Sequence, residues 1–428
     1  MNLAGVSLFG GWFPPTVQGV AIVAMLTAIG WRNRRWRLMW VPLSMLMATA
    51  VALGTYWILA HRDLAPQAAP LSFWIWLSAT AMMAVLVVVG WMGTTWWRRA
   101  LSLAAVLLTA TAVALAANQW AGFFPTTGRA WQALSSQPLP DQARLNALSG
   151  LRGTPQPDGK VVPVRIPDVV SGFRHRTEYV YLPPAWFVGT TPPQLPVVVM
   201  IGGVVTTPED WVRSGDAPNT VRRYADHHNG QAPILVMIDP TGSLTNDTEC
   251  VDGPNGNVDT HITKEVRPYV ISNFSASDSP ALWAVVGWSM GGTCAVDLVV
   301  RHPDQFGTFV DISGDESPNL GDRRHTITAL FGGRENRWEQ CDPATVMARH
   351  GRYDNTAGWF QSEGHPSSRT GGLTSPQIRA ADKLAEVADA NNITTVVRPV
   401  TGRHNWPFAA HAFADATPWL MQRLQAPT

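Results

Sequence analysis

The ten residues 283–292, WAVVGWSMGG, constrain the fold more than any other stretch of this chain. A short apolar, β-branched run leads into Gly287-Trp288-Ser289-Met290-Gly291, and a helix-compatible segment continues to Arg301. A strand, a G-x-S-x-G turn and a helix, in that order, hold a serine hydroxyl above a parallel sheet on a tight bend. The flanking glycines let the backbone turn sharply and let strand and helix pack close together. Ser289 is therefore the candidate nucleophile. The motif carries chemistry only if a base and an acid follow it downstream.

The rest of the chain is unevenly apolar. Of 428 residues, 46% are hydrophobic and only 15% charged, a balance that points to lipid around part of the chain. The excess sits before residue 122, in apolar stretches at 15–31, 38–60, 71–93 and 101–121. Each approaches the ~20 residues that a helix needs to cross a bilayer core, which predicts about four spanning helices. Arg32, Arg34, Arg35 and Arg37 lie between the first two stretches and Arg98 and Arg99 between the last two, whereas 61–70 holds only Arg62. By the positive-inside rule both basic loops are cytoplasmic, so everything after the fourth helix is expected to be extracytoplasmic. Trp31, Trp36, Trp40, Trp91, Trp96 and Trp97 cluster near the stretch ends, where amphipathic rings favour the interface. No acidic residue or lysine falls inside a span, so the helices read as an anchor and not as a transport path.

Residues 123–158 turn polar and rich in Pro, Gly and Gln, the composition of a linker, with a short helix near 141–149. Extended patterns follow at 161–166, 177–182, 196–201, 234–238, 282–286, 308–312, 358–361 and 394–400. Helical patterns occupy 264–274, 293–301, 376–390 and 409–424. A hairpin followed by strands alternating with helices predicts a mostly parallel, doubly wound α/β sheet over 159–428. The net charge of +1 argues against a nucleic-acid partner. Cys250, Cys294 and Cys341 lack C-x-x-C spacing, so neither a zinc site nor a thioredoxin-like site is expected. If the domain lies outside the cytoplasm, Cys250 with Cys341 is the expected bridge, because Cys294 should be buried on the helix behind Ser289.

An alcohol is a poor nucleophile at neutral pH, so Ser289 needs an oriented base. His404 follows the last strand pattern and sits in the loop Gly402-Arg403-His404-Asn405-Trp406, where the order Ser, acid, His places the base. His365 and His302 fit less well, and His302 reads as the end of the helix behind Ser289. Glu363, at the end of the 358–361 strand, is the chosen acid, with Asp382 and Asp354 as alternatives. The backbone amides of Met290 and of Val204, in the loop Gly202-Gly203-Val204-Val205, are the expected oxyanion donors. This chemistry requires no metal or organic cofactor.

The segments LPVVVMIGGVVTTPEDW, TECVDGPNGN, WAVVGWSMGG with RHPDQF, WEQCDP and GRHNWPF occur in the order seen in bacterial α/β-hydrolase esterases. They resemble the esterase D-like group that includes the secreted mycolyltransferases of mycobacteria, the antigen eighty-five group, from about Val161 onward. The resemblance implies an α/β-hydrolase fold and a serine acyl-transfer enzyme using Ser289, His404 and the amides of Val204 and Met290. It also keeps Asp382 as a rival to Glu363. Gly202 and Val205 stand where those transferases carry the acidic residue and arginine that help hold trehalose. Together these readings describe a multi-pass cell-membrane protein with an extracytoplasmic serine esterase or acyltransferase domain. Its expected substrate is a lipid or an acylated envelope glycan. The alternatives are a mycolyl-type transferase using a sugar acceptor and a non-catalytic envelope-binding protein.

Overall fold

A computed structural model describes residues 3–425, apart from 31, 62–68, 93, 229, 231 and 368–370. Trp31, the Arg62 loop used to orient the helices, and Ser368 therefore lie outside the described residues. The chain forms two compact units, Met1–Gln137 and Pro138–Thr428.

The first unit is helical: α1 (Phe13–Ile29), α2 (Val41–His61), α3 (Leu71–Gly90), α4 (Trp96–Ala121) and a shorter α5 (Thr127–Leu134). The spans Trp36–His61, Leu71–Gly90 and Trp96–Ala121 are long and apolar enough to cross a membrane, while α1 is a shorter apolar helix of 17 residues. Small residues such as Ala21, Ala105, Ala112 and Ala116 are buried between helices, whereas Leu26, Val88 and Leu107 face outward. Small residues let helix backbones approach closely. Helix α5 falls in the stretch read as a linker; Thr126 caps it by accepting from the Arg129 amide at 3.3 Å.

The second unit is built on one mixed sheet. Its main strands are β1 (Lys160–Val164), β2 (Glu178–Leu182), β3 (Val197–Ile201), β4 (Ile234–Met237), β5 (Trp283–Trp288), β6 (Thr308–Ile312), β7 (Ala357–Pro366) and β8 (Thr394–Thr401). Their spatial order is β1-β2-β4-β3-β5-β6-β7-β8. The β1–β2 and β2–β4 pairs are antiparallel, and every pair from β4 to β8 is parallel. Strands β3, β5 and β6 are buried along their whole length, which is why they read as continuous apolar runs. Helices flank the sheet: α6 (Ala217–Asp226), α7 (Arg267–Phe274), α8 (Met290–Arg301), α9 (Arg323–Phe331), α10 (Glu335–Glu339), α11 (Pro343–His350), α12 (Pro376–Ala390) and α13 (Trp406–Arg423).

Each expected strand is present, and the mostly parallel, doubly wound sheet is the one read from the sequence. Strand β7 is longer than the 358–361 pattern because Ser362 and Glu363, polar in sequence, are buried and hydrogen-bonded in its second half. The short helix expected near 141–149 is a 3-10 turn, Leu145–Ala147, continuing into Leu148–Leu151.

The cysteine pairing differs from expectation. Cys250 is bonded to Cys294, and Cys341 is a buried free thiol. Burial of Cys294 on α8 did not remove it from reach, because Glu249 and Cys250 both adopt left-handed backbone conformations, φ 47° and 53°, that turn the loop onto that helix. Cys341 sits instead in a separate apolar cluster with Val251, Leu330, Phe331 and Trp338.

Candidate active site

Parallel pairing brings the carboxyl ends of five strands side by side. Ile201 lies opposite Gly287, Trp288 opposite Ile312, Ile312 opposite Gln361, and Glu363 opposite Val400. The residues that follow or end these strands therefore meet at one rim, where open α/β sheets bind their ligands.

Ser289 occupies the bend between β5 and α8 with φ 59° and ψ −125°, a conformation L-residues rarely adopt. The neighbouring glycines make it sterically accessible. A Cβ on Gly287 would lie 1.6 Å from the Gly291 carbonyl oxygen, and one on Gly291 would lie 2.3 Å from that of Ile201. The Ser289 amide donates to Ile312 at 2.9 Å, and its carbonyl accepts from Gly292 at 2.7 Å, so both sides of the bend are tied down.

His404 comes from the loop after β8. Asn405 caps α13 by accepting from the Phe408 amide at 3.1 Å, and Trp406 behind it is fully buried against Trp211 and Trp288. This anchors the short loop that carries the imidazole. His404 Nε2 lies 2.9 Å from Ser289 Oγ, and His404 Nδ1 lies 2.9 Å from Glu363 Oε1. Ser289, His404 and Glu363 are thus one hydrogen-bonded chain. Of the rival acids, Asp382 and Asp354 are both exposed, and neither is bonded to His404. His302 ends α8 and contacts Asp259 at 2.8 Å, while His365 is exposed at the end of β7.

Glu363 is buried, which by itself would raise its pKa. The His404 hydrogen bond and charge, with the Ser313 hydroxyl donating to Oε2, outweigh burial and hold the carboxyl below its ordinary range. Ser313 is a site residue that sequence reading missed. It follows β6 with φ 56°, and its contact with Glu363 spans 50 positions in sequence, so no local pattern announces it.

The loop after β3 runs against the nucleophile. A Cβ on Gly203 would be 3.0 Å from Ser289 Cβ, so any other residue here would crowd the nucleophile. Thr206 donates to the Gly203 carbonyl at 2.7 Å and closes the turn. Val204 comes next in that turn, and Met290 is the first residue of α8; neither amide has an acceptor among the described residues.

Among the described residues one group of metal-ligand type is present: His175, Glu178 and His261, on β2 and the segments packed against it. His175 Nδ1 and Nε2 each lie 2.8 Å from a backbone carbonyl oxygen, of Arg176 and Ile166. His261 Nδ1 and Nε2 face the carboxylates of Glu265 and Glu178 at 2.7 and 3.2 Å. All four ring nitrogens already lie within hydrogen-bond reach of protein oxygens. Burial would lower the His261 pKa, but the hydrogen bonds and charges of Glu178 and Glu265 outweigh it and raise the value.

Asp311, on β6 beneath the site, is fully buried. Burial pushes its carboxyl up to about 7 despite the hydrogen bond from the Gly314 amide at 2.7 Å, with Asp315 and Glu363 adding to the rise. A raised acid holds its proton in the fold longer than in the unfolded chain. Its contribution to stability is full below the unfolded value of 3.8 and falls as pH rises toward about 7. The slope approaches about 1.4 kcal/mol per pH unit. Asp311→Asn keeps the acceptor for Gly314 and removes the titration. The urea-unfolding midpoint of this variant should vary less than wild type between about pH 5 and about pH 8. An unchanged pH dependence would contradict this account.

Comparison with known proteins agrees with the geometry. Residues 173–420 match the family described as "Putative esterase". An uncharacterized protein of Corynebacterium glutamicum is 27% identical over 94% of this chain and 92% of its own length, a match spanning both units. The MPT51/MPB51 antigen of Mycobacterium tuberculosis is 25% identical over 48% of this chain and 68% of its own. Among solved structures, an S-formylglutathione hydrolase from Agrobacterium tumefaciens superposes with a TM-score of 0.50 at 18% identity, covering 63% of this chain and 97% of that one. The second unit has the α/β-hydrolase fold, and the chain, a serine hydrolase or acyltransferase, belongs to this esterase family.

Proposed function

We propose that the protein is a membrane-anchored serine esterase or acyltransferase that moves the acyl group of a lipid or acylated envelope glycan through an acyl-Ser289 intermediate. The observation that carries this reading is the continuous chain from Ser289 Oγ through His404 to Glu363, with both links at 2.9 Å. Ser289 Oγ attacks the ester carbonyl carbon while its proton passes to His404 Nε2. The amides of Val204 and Met290 donate to the oxyanion. As the intermediate collapses, the C–O bond to the leaving alcohol breaks and His404 returns the proton to that oxygen. Water or a second alcohol, deprotonated by His404, then attacks the acyl-Ser289 carbonyl and regenerates the serine. Glu363 keeps the proton of His404 on Nδ1 in the resting state, leaving Nε2 free to accept.

In this reading residues 1–122 embed the protein in the cell membrane, 123–158 connect, and 159–428 form the catalytic domain on the extracytoplasmic side. The three long apolar spans and the arginine-rich loops support it. Tethering would raise the local concentration of the domain over substrates in or near the bilayer. The test is to treat purified full-length protein with a long-chain acyl ester and weigh the Ser289 peptide. The expected result is an added acyl mass on Ser289 with release of the alcohol. Absence of both an adduct and turnover across several donors would favour a non-catalytic envelope-binding role.

A further inference from the structure

A second group of buried polar side chains converges at the start of β2, three places from β5 in the sheet. Glu178 opens that strand, His175 lies in the connection from β1, and His261 begins the helical turn His261–Val266 that leads into α7. One ligand-type atom from each lies within 4.8 Å of the other two, and Glu178 and His261 are fully buried. Ser289, His404 and Glu363 take no part in this group. Glu178 Oε1 accepts from the Asp239 amide at 3.1 Å and faces His261 Nε2 at 3.2 Å. Its other oxygen, Oε2, accepts no hydrogen bond among the described residues and lies 3.7 Å from His175 Nδ1. A buried carboxylate oxygen without a donor is costly, and the neighbouring Arg176 guanidinium is taken by Asp239 at 2.5 Å.

Acceptors outnumber donors here. A neutral imidazole carries one N–H, yet both nitrogens of His175 face carbonyl oxygens, of Arg176 and Ile166, at 2.8 Å. With the proton on Nε2, toward Ile166, the Nδ1 lone pair meets the Arg176 carbonyl oxygen and Glu178 Oε2. His261 is placed alike. With its proton on Nδ1, toward Glu265 Oε2 at 2.7 Å, its Nε2 lone pair meets Glu178. A second proton on each ring would relieve these contacts, but the ring centroids are 4.5 Å apart, where two imidazolium charges repel. A divalent cation relieves them together. It makes ligands of two lone-pair nitrogens and a carboxylate, and it offsets the charges of Glu178 and Glu265 with both rings neutral. The distances fit: bonds of ~2.0–2.2 Å at a tetrahedral angle set neighbouring ligand atoms roughly 3.3–3.6 Å apart. The separations of 3.2 and 3.7 Å lie close to either side of that range. The outer contacts fit as well. A metal-bound histidine donates its other N–H to a carboxylate or a carbonyl, and Glu265 and Ile166 are those acceptors. Glu265 is held in turn by the amides of Val170 and Ser171 at 2.7 and 3.0 Å.

We propose that His175 Nδ1, His261 Nε2 and a Glu178 carboxylate oxygen bind one divalent transition-metal ion, zinc by the character of the donors. Imidazole nitrogens favour such ions, whereas calcium and magnesium take oxygen donors. The Arg176 carbonyl oxygen, beside His175 Nδ1, is the nearest atom for a fourth position. Burial keeps substrate from the ion, so its role is structural. It ties the connection between β1 and β2 to the turn that opens α7. The acyl-transfer reading and this site do not depend on each other.

The experiment uses full-length protein in detergent, stripped with a chelator, dialysed, and titrated calorimetrically with zinc chloride and separately with calcium chloride. The expected result is one saturable zinc site per chain, no comparable calcium binding, and an unfolding midpoint that rises with zinc concentration. Glu178→Gln keeps the shape of the side chain and removes its charge. Zinc affinity in this variant should fall at least about 100-fold, since losing even an outer-shell partner costs roughly 10- to 100-fold, and the zinc-dependent rise in midpoint should vanish. Where Glu178→Gln is too unstable to titrate, His175→Ala, a change in the connection between β1 and β2, carries the same comparison. Absence of saturable zinc binding, equal zinc binding by the ligand variant, or calcium bound as tightly as zinc would each overturn the proposal and leave the two histidines as members of an ion-pair network. Fluorophosphonate labelling of Ser289 in the same samples separates this site from the acyl-enzyme: labelling without zinc binding sinks only the metal site, and zinc binding without labelling sinks only the acyl-enzyme.

Discussion

Ser289→Ala should lower kcat for cleavage of a p-nitrophenyl acyl ester by about 10⁴- to 10⁶-fold while leaving the unfolding transition in place. The size follows from what the hydroxyl does. In the proposed mechanism it forms the covalent bond, and no other described side chain contacts His404 Nε2. The fold should tolerate the change because the Ser289 backbone, not its side chain, makes the structural bonds, to Ile312, Gly292 and Thr293. Alanine must still occupy φ 59°, a strain the serine already bears, so the cost to stability should be small. A variant that kept more than about a tenth of wild-type kcat would remove Ser289 from the mechanism.

Much of this arrangement was legible before any coordinates. The strands are legible because a parallel sheet buried on both faces writes itself as β-branched apolar runs, as in Val197–Ile201 and Thr308–Ile312. The nucleophile bend is legible because its two glycines admit no Cβ. What stayed hidden depends on contacts distant in sequence. Half of strand β7 was lost to the pattern because Ser362 and Glu363 look solvent-facing, and the Glu363 partners Ser313 and His404 lie far away in sequence. Helices α9 and α11 escaped notice although Asp322 and Asp342 cap them, because each is short and weakly apolar. The disulfide was misassigned for a similar reason. Burial of Cys294 was read correctly, but the turn at Glu249 and Cys250 that brings its partner there has no sequence signature in a non-glycine pair. In the first unit, composition alone marks the long apolar spans, while α1, Phe13–Ile29, begins two residues before its 15–31 apolar stretch.

Glu363→Gln should lower kcat by about 10³- to 10⁴-fold with little change in KM, and the reason is the tautomer of His404. In the wild type, Oε2 accepts from Ser313 and Oε1 faces His404 Nδ1, so the imidazole proton sits on Nδ1 and Nε2 is the free base. Glutamine has one acceptor and one donor to offer. With its carbonyl oxygen toward Ser313, its NH₂ faces Nδ1, the proton moves to Nε2, and the group that should accept the Ser289 proton becomes a donor. With the amide reversed, the NH₂ faces the Ser313 hydroxyl, which must then turn its hydrogen away from a buried position. The variant also lacks the negative charge that stabilises the imidazolium formed during attack. Ser313→Ala removes only one of these supports and should fall between wild type and Glu363→Gln. Asp382→Asn, on the exposed face of α12, should stay within about twofold of wild type, since exposed charges far from a reacting group contribute little. Steady-state kinetics on the four proteins decide the matter. A Glu363→Gln enzyme as active as wild type, or a collapse of activity in Asp382→Asn, would transfer the role of the acid away from Glu363.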